Sequence, residues 1–208
     1  MIRGLRLPAP EDFRVYLIYS VIIDVVFILV YGGNNWLSAQ REQVFKFYWD
    51  WELGIPFLPG FIWIYISMFV LFLFPLFQLQ GSELPRLGKQ LLLGTFVSGM
   101  IFLLFPSGLG FQRIGDSGAL GGIFSFVYAL DFPYNQLPSL HIVFSGLIIA
   151  SMIEVATIAL RIFYVLWLLA LLASVVLVHQ HHIADVITAF MVIWISRYFF
   201  KPEIPGSD

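Results

Sequence analysis

The polar residues best suited to chemistry lie in two short motifs, each at the start of a long apolar segment. Pro138-Ser139-Leu140-His141 precedes one segment, and His181-His182-Ile183-Ala184-Asp185 precedes another. Histidine can carry protons near neutral pH or attack an electrophile when a neighbouring group activates it. Ionisable side chains are costly to place in a membrane, so their presence at its edge predicts a functional site.

His181 and Asp185 are four residues apart, which puts them on one face of a helix. A carboxylate bound to one ring nitrogen fixes the tautomer and stabilises the positive charge that develops when the other nitrogen attacks. His182 would point about 100° away. We therefore predict that His181 is the nucleophile; the alternative is a polar cluster solvated at the interface.

His141 follows a proline and a serine, which together indicate a helix start. Helix N-termini present free N–H groups and suit anion binding. A histidine in this first turn could protonate a leaving oxygen, and the alternative is an interfacial anchor. Asp131 and Asn135, which precede the motif, are interpreted as residues that order the loop.

The composition is typical of an integral membrane protein. The 208 residues are 60% hydrophobic and 12% charged, whereas soluble domains have roughly 25% charged residues. The net charge of −2 gives no case for nucleic acid, and the absence of cysteine excludes disulfides and thiolate metal sites. The expected partners are the bilayer and a lipid substrate, with no cofactor and no metal site.

Six segments approach the length of about 20 apolar residues that a membrane helix needs. The first is interpreted as a membrane helix rather than a cleaved signal peptide. We therefore predict one all-α domain over 1–208, a polytopic membrane protein with six transmembrane helices. Their approximate bounds are Phe13–Tyr31, Phe57–Leu79, Leu87–Phe105, Ser139–Leu160, Ile162–Val178 and His182–Phe200.

The distribution of Lys and Arg predicts that both termini are cytoplasmic, because cytoplasmic loops are enriched in these residues. With this orientation, eight of the 11 basic residues lie inside, and only Arg41, Lys46 and Arg113 lie outside. His141 and His181 then both lie on the outer face. The loop 106–138 lies there too, and its apolar stretch 121–130 is too short to span, which favours a re-entrant or interfacial helix.

The motifs resemble those of the type-2 phosphatidic acid phosphatase superfamily. The second family motif, Pro-Ser-x-His, matches Pro138–His141, and the third matches Ser174 followed by His181 and Asp185. The Pro-Ser-Leu-His form resembles the branch that includes inositol phosphorylceramide synthases and many bacterial membrane proteins. The resemblance covers about residues 85–190, with the catalytic motifs within about 105–190.

The resemblance implies a PAP2-type helical core and a phosphohistidine mechanism. His181 would attack phosphorus, Asp185 would orient it, and His141 would protonate the leaving group and later activate the acceptor. The expected phosphate-binding residues are Arg113, as the first-motif arginine, with Ser139, Ser174 and His179. His179 is included because, protonated, it could replace a lost positive charge.

Three departures from the family pattern reduce the number of positively charged residues that are expected to surround the phosphate. Pro106 stands where the family has a lysine, Ile114 where it has the first-motif proline, and Val175 where it has an arginine. The first expectation is a membrane lipid phosphatase acting on a lipid-linked phosphate at the extracytoplasmic face, in the inner (plasma) membrane of a bacterium. The alternative is transfer of a phospho-head group to a lipid alcohol, and a third hypothesis is a non-enzymatic transporter that uses histidines for proton transfer.

Overall fold

Helices are the regular elements of the chain, as its apolar segments predict. The computed structural model describes residues 2–113 and 118–202, and within these ranges it contains helices but no β-strand. The α-helices are α1 (Pro10–Ala39, with a π-helical turn at Ile28–Gly32), α2 (Ile62–Ile66), α3 (Met68–Leu71), α4 (Phe74–Gln78), α5 (Glu83–Leu104), α6 (Gly121–Leu130), α7 (Leu140–Val155), α8 (Ile158–Leu177) and α9 (Ile183–Phe199). The all-α class is confirmed.

Three of these helices, α1, α5 and α8, are long and apolar enough to cross a membrane. Helix α1 is the most exposed of the three, with a mean hydropathy of 2.3 and only 6% of its most apolar window buried. Such a surface is suited to lipid rather than water. The fold is therefore compatible with a membrane protein.

Helix α7 occupies the centre of the bundle and packs against α5, α8 and α9. It is buried on nearly all sides, as expected for a helix that is apolar all round. The small residues of α5 permit close packing: a Cβ added at Gly94 would lie 3.1 Å from a methyl group of Val143 on α7. One added at Gly99 would lie 2.3 Å from a methyl group of Val30 on α1.

The chain alternates in direction through the bundle, so that it has two distinct ends. At one end, which we call the basic end, Glu154 of α7 bonds both Arg86 of α5 (2.6 Å) and Arg197 of α9 (2.5 Å). At the other, the site end, α7 and α9 begin side by side, where the Ser139 N–H donates to the Asp185 carbonyl (3.1 Å). The Pro138–His141 and His181–Asp185 motifs therefore lie at the same end.

The segment 57–79, predicted as one continuous helix, is broken into the short helices α2, α3 and α4 after a 3-10 turn at Pro59–Phe61. Two local causes are visible. The Ser67 hydroxyl donates back to the Ile64 carbonyl (2.6 Å), and Pro75 has no N–H to donate to a helix. The broken segment still runs from the site end, where Tyr65 contacts Asp131, to the basic end, where Gln78 contacts Tyr164.

The turn between the fourth and fifth predicted helices lies earlier than expected. It was predicted around Arg161, but α7 ends at Val155 and α8 begins at Ile158. Arg161 is inside α8, where its Nε–H donates to the Ala156 carbonyl (2.9 Å) and so covers the end of α7. The short helix predicted at 121–130 is present as α6, with Phe124 and Val127 buried.

Candidate active site

His181 and Asp185 form a hydrogen-bonded pair at the start of α9. The His181 Nδ1 lies 3.3 Å from Asp185 Oδ2, and the same oxygen accepts the His182 N–H (2.8 Å). The backbone N–H of His181 donates to the Val175 carbonyl at the end of α8 (2.9 Å). Both side chains are almost fully buried, at 6% and 1% exposure. The carboxylate is therefore fixed, and it holds one nitrogen of the His181 ring while the ring lines a cavity.

His141 lies in the first turn of α7, as the motif predicts. Ser139 is the N-cap and its hydroxyl accepts the Ile142 N–H (3.4 Å). The His141 ring stacks on Tyr65, with 4.2 Å between ring centroids. Its Nε2 is buried and has no hydrogen-bond partner among the described residues. A buried ring nitrogen without a partner is costly, which suits a group that bonds a substrate.

One cavity of about 510 Å³ joins the two histidines. Its polar end is lined by His141, His181, Asp131, Tyr31 and Tyr65. The remainder is mostly apolar and is enclosed by α1, the segment 65–75, α5, α6 and α7. Asp24, from the middle of α1, also lines it, as does Ser20. A mostly apolar cavity with a few polar groups suits a ligand that is itself largely apolar.

Arg113 lies half-buried near the polar end, held by carbonyl groups. Its guanidinium donates to the Tyr128 carbonyl (3.2 Å) and to the Asp131 carbonyl, and it lies 4.6 Å from the centre of the Tyr128 ring. It does not line the cavity. The neighbouring departure from the family motif, Ile114, lies outside the described residues.

The polar atoms of the other three predicted phosphate ligands, Ser139, Ser174 and His179, contact other groups of the protein. Ser139 caps α7, and the buried Ser174 hydroxyl donates to the Leu171 carbonyl within α8 (2.8 Å). The ring of His179 stacks on Phe111, and its Nε2 lies 2.9 Å from the Ile55 carbonyl. Burial lowers the pKa of His179 from its ordinary 6.5, which favours the neutral ring. None of the three lines the cavity that His141 and His181 line.

His182 has a different environment from His181, with both ring nitrogens used. Its Nε2 accepts the Gly110 N–H (3.0 Å), and its Nδ1 lies 3.3 Å from Glu52 Oε2. The ring stacks on Tyr48 and Phe111, at 4.4 and 4.3 Å between centroids. These contacts make His182 an anchor between the loops and α9.

Glu52 is the residue of this network that sequence reasoning missed. It is fully buried, accepts the Ile183 N–H at the start of α9 (2.8 Å), and its other oxygen accepts the Trp49 N–H (3.0 Å). A carboxylate at a helix N-terminus is favourable. No local signal distinguishes Glu52 from the nearby exposed Asp50, because its partners are about 130 positions away.

Asp131 was interpreted as a loop-ordering residue, but its carboxylate also lines the cavity. It accepts hydrogen bonds from the Tyr31 hydroxyl and the Tyr65 hydroxyl (3.3 Å). Asn135 orders the loop: it has a φ of 58°, and its side-chain oxygen accepts the Ser38 hydroxyl (2.9 Å). The polar end of the cavity thus combines two histidines with a carboxylate and two tyrosines.

Within residues 2–113 and 118–202, no group of three or more His, Asp or Glu side chains is arranged to hold a metal ion. Comparison with known proteins gives no match to the chain among family models, curated proteins or solved structures.

Proposed function

We propose that this chain is a membrane enzyme that removes the phosphoryl group of a lipid-linked phosphate through a covalent intermediate on His181. One observation carries the proposal: His141 and His181, the latter bonded to Asp185, line a single cavity whose lining is otherwise mostly apolar. The resemblance of both motifs to type-2 phosphatidic acid phosphatases supports the same chemistry. A structural pair of histidines would not need to face an apolar cavity with a free ring nitrogen.

In the first step, His181 Nε2 attacks phosphorus and the bond from phosphorus to the lipid oxygen breaks. His141 donates a proton to that oxygen, so that the lipid leaves as a neutral alcohol. Asp185 stabilises the positive charge on the His181 ring through Nδ1, which lies 3.3 Å from Oδ2. The product of this step is a phosphohistidine.

In the second step, His141 takes a proton from the acceptor, whose oxygen attacks phosphorus while the bond to His181 Nε2 breaks. With water as the acceptor, free phosphate or a free phospho-head group is released and both histidines return to their starting state. Such proton transfer by a positioned histidine typically contributes about 10²–10⁴ in rate.

Transfer to a lipid alcohol is the second candidate, and the burial of the two histidines beside a largely apolar cavity favours it. His141 and His181 are 7% and 6% exposed, and the cavity beside them is largely apolar. A lipid alcohol could enter the same apolar space as the substrate. Arg113 donates to backbone carbonyls, so the site offers less positive charge than a phosphate monoester dianion would require.

We further propose six membrane spans, with the site end at the extracytoplasmic face and both termini in the cytoplasm. Support comes from the three long apolar helices and from the alternating chain direction. The basic end contains Arg3, Arg6, Arg86 and Arg197, paired with acidic residues, and cytoplasmic faces are enriched in arginine.

Turnover of phosphatidic acid by the purified protein in detergent tests the proposal. We expect phosphate and diacylglycerol to be released, and His181→Ala to reduce the rate by about a thousandfold or more. Addition of a lipid alcohol such as ceramide separates the two candidates, because transfer yields a phosphorylated acceptor instead of free phosphate. Full activity of His181→Ala on every lipid phosphate and phospholipid tested would refute the nucleophile, and with it the enzyme proposal as stated.

A further inference from the structure

A carboxylate lies at the polar end of the cavity, where a phosphate-binding enzyme would be expected to offer cations. Asp131 follows the last residue of α6 and lines the same cavity as His141 and His181. It is linked to His141 through Tyr65, whose hydroxyl lies 3.3 Å from Asp131 Oδ2 and whose ring stacks on His141. A substrate whose phosphorus reaches the histidines would therefore place its neighbouring group close to Asp131.

The cluster of Asp131, Tyr31 and Tyr65 presents acceptors rather than donors to a ligand. Both tyrosine hydroxyls donate a hydrogen bond to the Asp131 carboxylate, one to each oxygen, so neither has a proton left for a ligand. An ionised carboxylate can accept about four hydrogen bonds, so each oxygen keeps a lone pair for a further donor. The Arg113 guanidinium donates to the Asp131 backbone carbonyl, so it leaves the carboxylate oxygens available to a ligand.

We propose that this cluster binds the primary ammonium group of a phospholipid head group of the ethanolamine class. The inference rests on the proposed function, since it assumes that the phosphorus of the same lipid lies at His181. A primary ammonium carries a positive charge and three N–H donors, and it has no acceptor that would face the carboxylate.

The same chemistry disfavours other head groups. A quaternary ammonium such as choline has the charge but no N–H, and a glycerol head group has hydroxyl donors but no positive charge. A phosphate monoester brings a second negative charge toward Asp131. This proposal explains why few positively charged residues surround the site. A zwitterionic phosphodiester carries its own positive charge, so it needs fewer cationic side chains from the protein.

Diacylglycerol release measures this preference, because it reports the first chemical step whether water or an alcohol is the acceptor. Phosphatidylethanolamine, phosphatidylglycerol, phosphatidylcholine and phosphatidic acid with identical acyl chains would be compared in one detergent. The wild-type protein is expected to have a kcat/KM for phosphatidylethanolamine about tenfold or more above those for the glycerol and choline lipids. Asp131→Asn should abolish that ratio by slowing phosphatidylethanolamine turnover, and it should raise phosphatidic acid turnover, because it removes a negative charge from beside the monoester phosphate.

A control variant separates binding from folding. Asp50→Asn removes an exposed carboxylate at the same end of the molecule, outside the cavity. It should change neither the preference for phosphatidylethanolamine nor the rate of diacylglycerol release. Each variant would be checked by its melting temperature.

Equal wild-type rates on the ethanolamine, glycerol and choline lipids would overturn the proposal. So would an Asp131→Asn variant that keeps the preference, or one that slows all four lipids equally, since that result indicates a structural role. Failure of the proposed function looks different, because His181→Ala would then retain diacylglycerol release. Loss of release in His181→Ala without any head-group preference would refute the ammonium site alone.

Discussion

The adjacent residues His181 and His182 differ in what their ring nitrogens contact, and this difference supports the roles that we propose for them. His182 uses Nδ1 on Glu52 and Nε2 on the Gly110 N–H. His181 uses Nδ1 on Asp185, and its ring faces the cavity. A nucleophile needs a lone pair directed at the substrate, a condition that His181 can meet and His182 cannot.

Removal of His141 should be tolerated best when the leaving group needs no proton. We expect His141→Ala to slow natural lipid phosphates by about 10²–10⁴, and to slow the first step on a p-nitrophenyl lipid phosphodiester much less. Burst kinetics of nitrophenolate release would measure that step, followed by a slow phase because the acceptor still lacks its base. Equal losses on both substrates would contradict the general-acid role.

His179 should make stability depend on pH. Burial lowers its pKa from 6.5, so the folded protein binds fewer protons than the unfolded chain below that pH, and protonation favours unfolding. The stability that the neutral ring contributes is therefore present above about pH 6.5 and is lost as the pH falls. The melting temperature of His179→Gln should decline less than that of wild type between pH 7 and pH 5. Parallel declines would show that His179 does not contribute.

Sequence spacing predicted the contact between His181 and Asp185, although His181 precedes α9 instead of lying on the same helix as Asp185. It could not predict Glu52, whose partners are distant in the chain, nor the orientation of His179, which depends on Phe111 and the Ile55 carbonyl. Asp131 was noticed, but its two tyrosine partners come from α1 and α2. Local pairs can be predicted from spacing, whereas pairs between elements require the fold.

At the level of elements, the start of α9 is fixed by the loop that contains Glu52. The Glu52 carboxylate accepts the Ile183 N–H and contacts the His182 ring, immediately beside the nucleophile. A shift of the α9 N-terminus would move His181 relative to His141, and small misplacements of reacting groups are costly in rate. We therefore propose that Glu52 is a positioning residue.

Glu52→Ala should lower both stability and kcat. The substitution leaves the half-buried Ile183 N–H and the buried His182 ring without their partner, at a cost of up to about 1–3 kcal/mol for each unsatisfied group. Glu52→Gln keeps an acceptor oxygen and should restore part of the melting temperature and part of kcat. Measurement of kcat and KM separately tests the role, since misalignment should affect kcat more than KM. A wild-type kcat in the Glu52→Ala variant would exclude a positioning role for Glu52.

The helices themselves were largely predictable, because five of the six apolar segments form helices near the expected bounds. The exception is 57–79, whose hydropathy is that of a span although its backbone is broken at Ser67 and before Pro75. A hydropathy scale reports how readily a segment leaves water. It does not show where a side-chain hydroxyl bonds a backbone carbonyl or where a proline lacks the N–H that a helix needs. The turn near Arg161 was misplaced for a similar reason, since an arginine inside a helix can cover the end of the preceding one.

On the scale of the whole molecule, the two ends differ in charge and in the residues that they hold. The basic end holds the Arg86–Glu154–Arg197 cluster, and the site end holds His141 and the His181–Asp185 pair. The topology proposal assigns these ends to opposite faces of a membrane.

The absence of cysteine makes this topology directly testable. Single cysteines would be introduced by Asp50→Cys at the site end and Ser82→Cys beside Glu83 at the basic end, where both native residues are exposed. A membrane-impermeant maleimide should label Asp50→Cys in intact spheroplasts, and Ser82→Cys only after lysis. The reverse pattern would place the active site in the cytoplasm.

Capture of the covalent intermediate tests the central claim most directly. The protein would be mixed with a lipid phosphate labelled with ³²P, quenched rapidly in alkali, and assayed for protein-bound label that is stable in base and lost in acid. The account predicts such label on wild type and on His182→Ala, normalised to folded protein, and none on His181→Ala. Label that persists in His181→Ala, or that disappears only in His182→Ala, would contradict it.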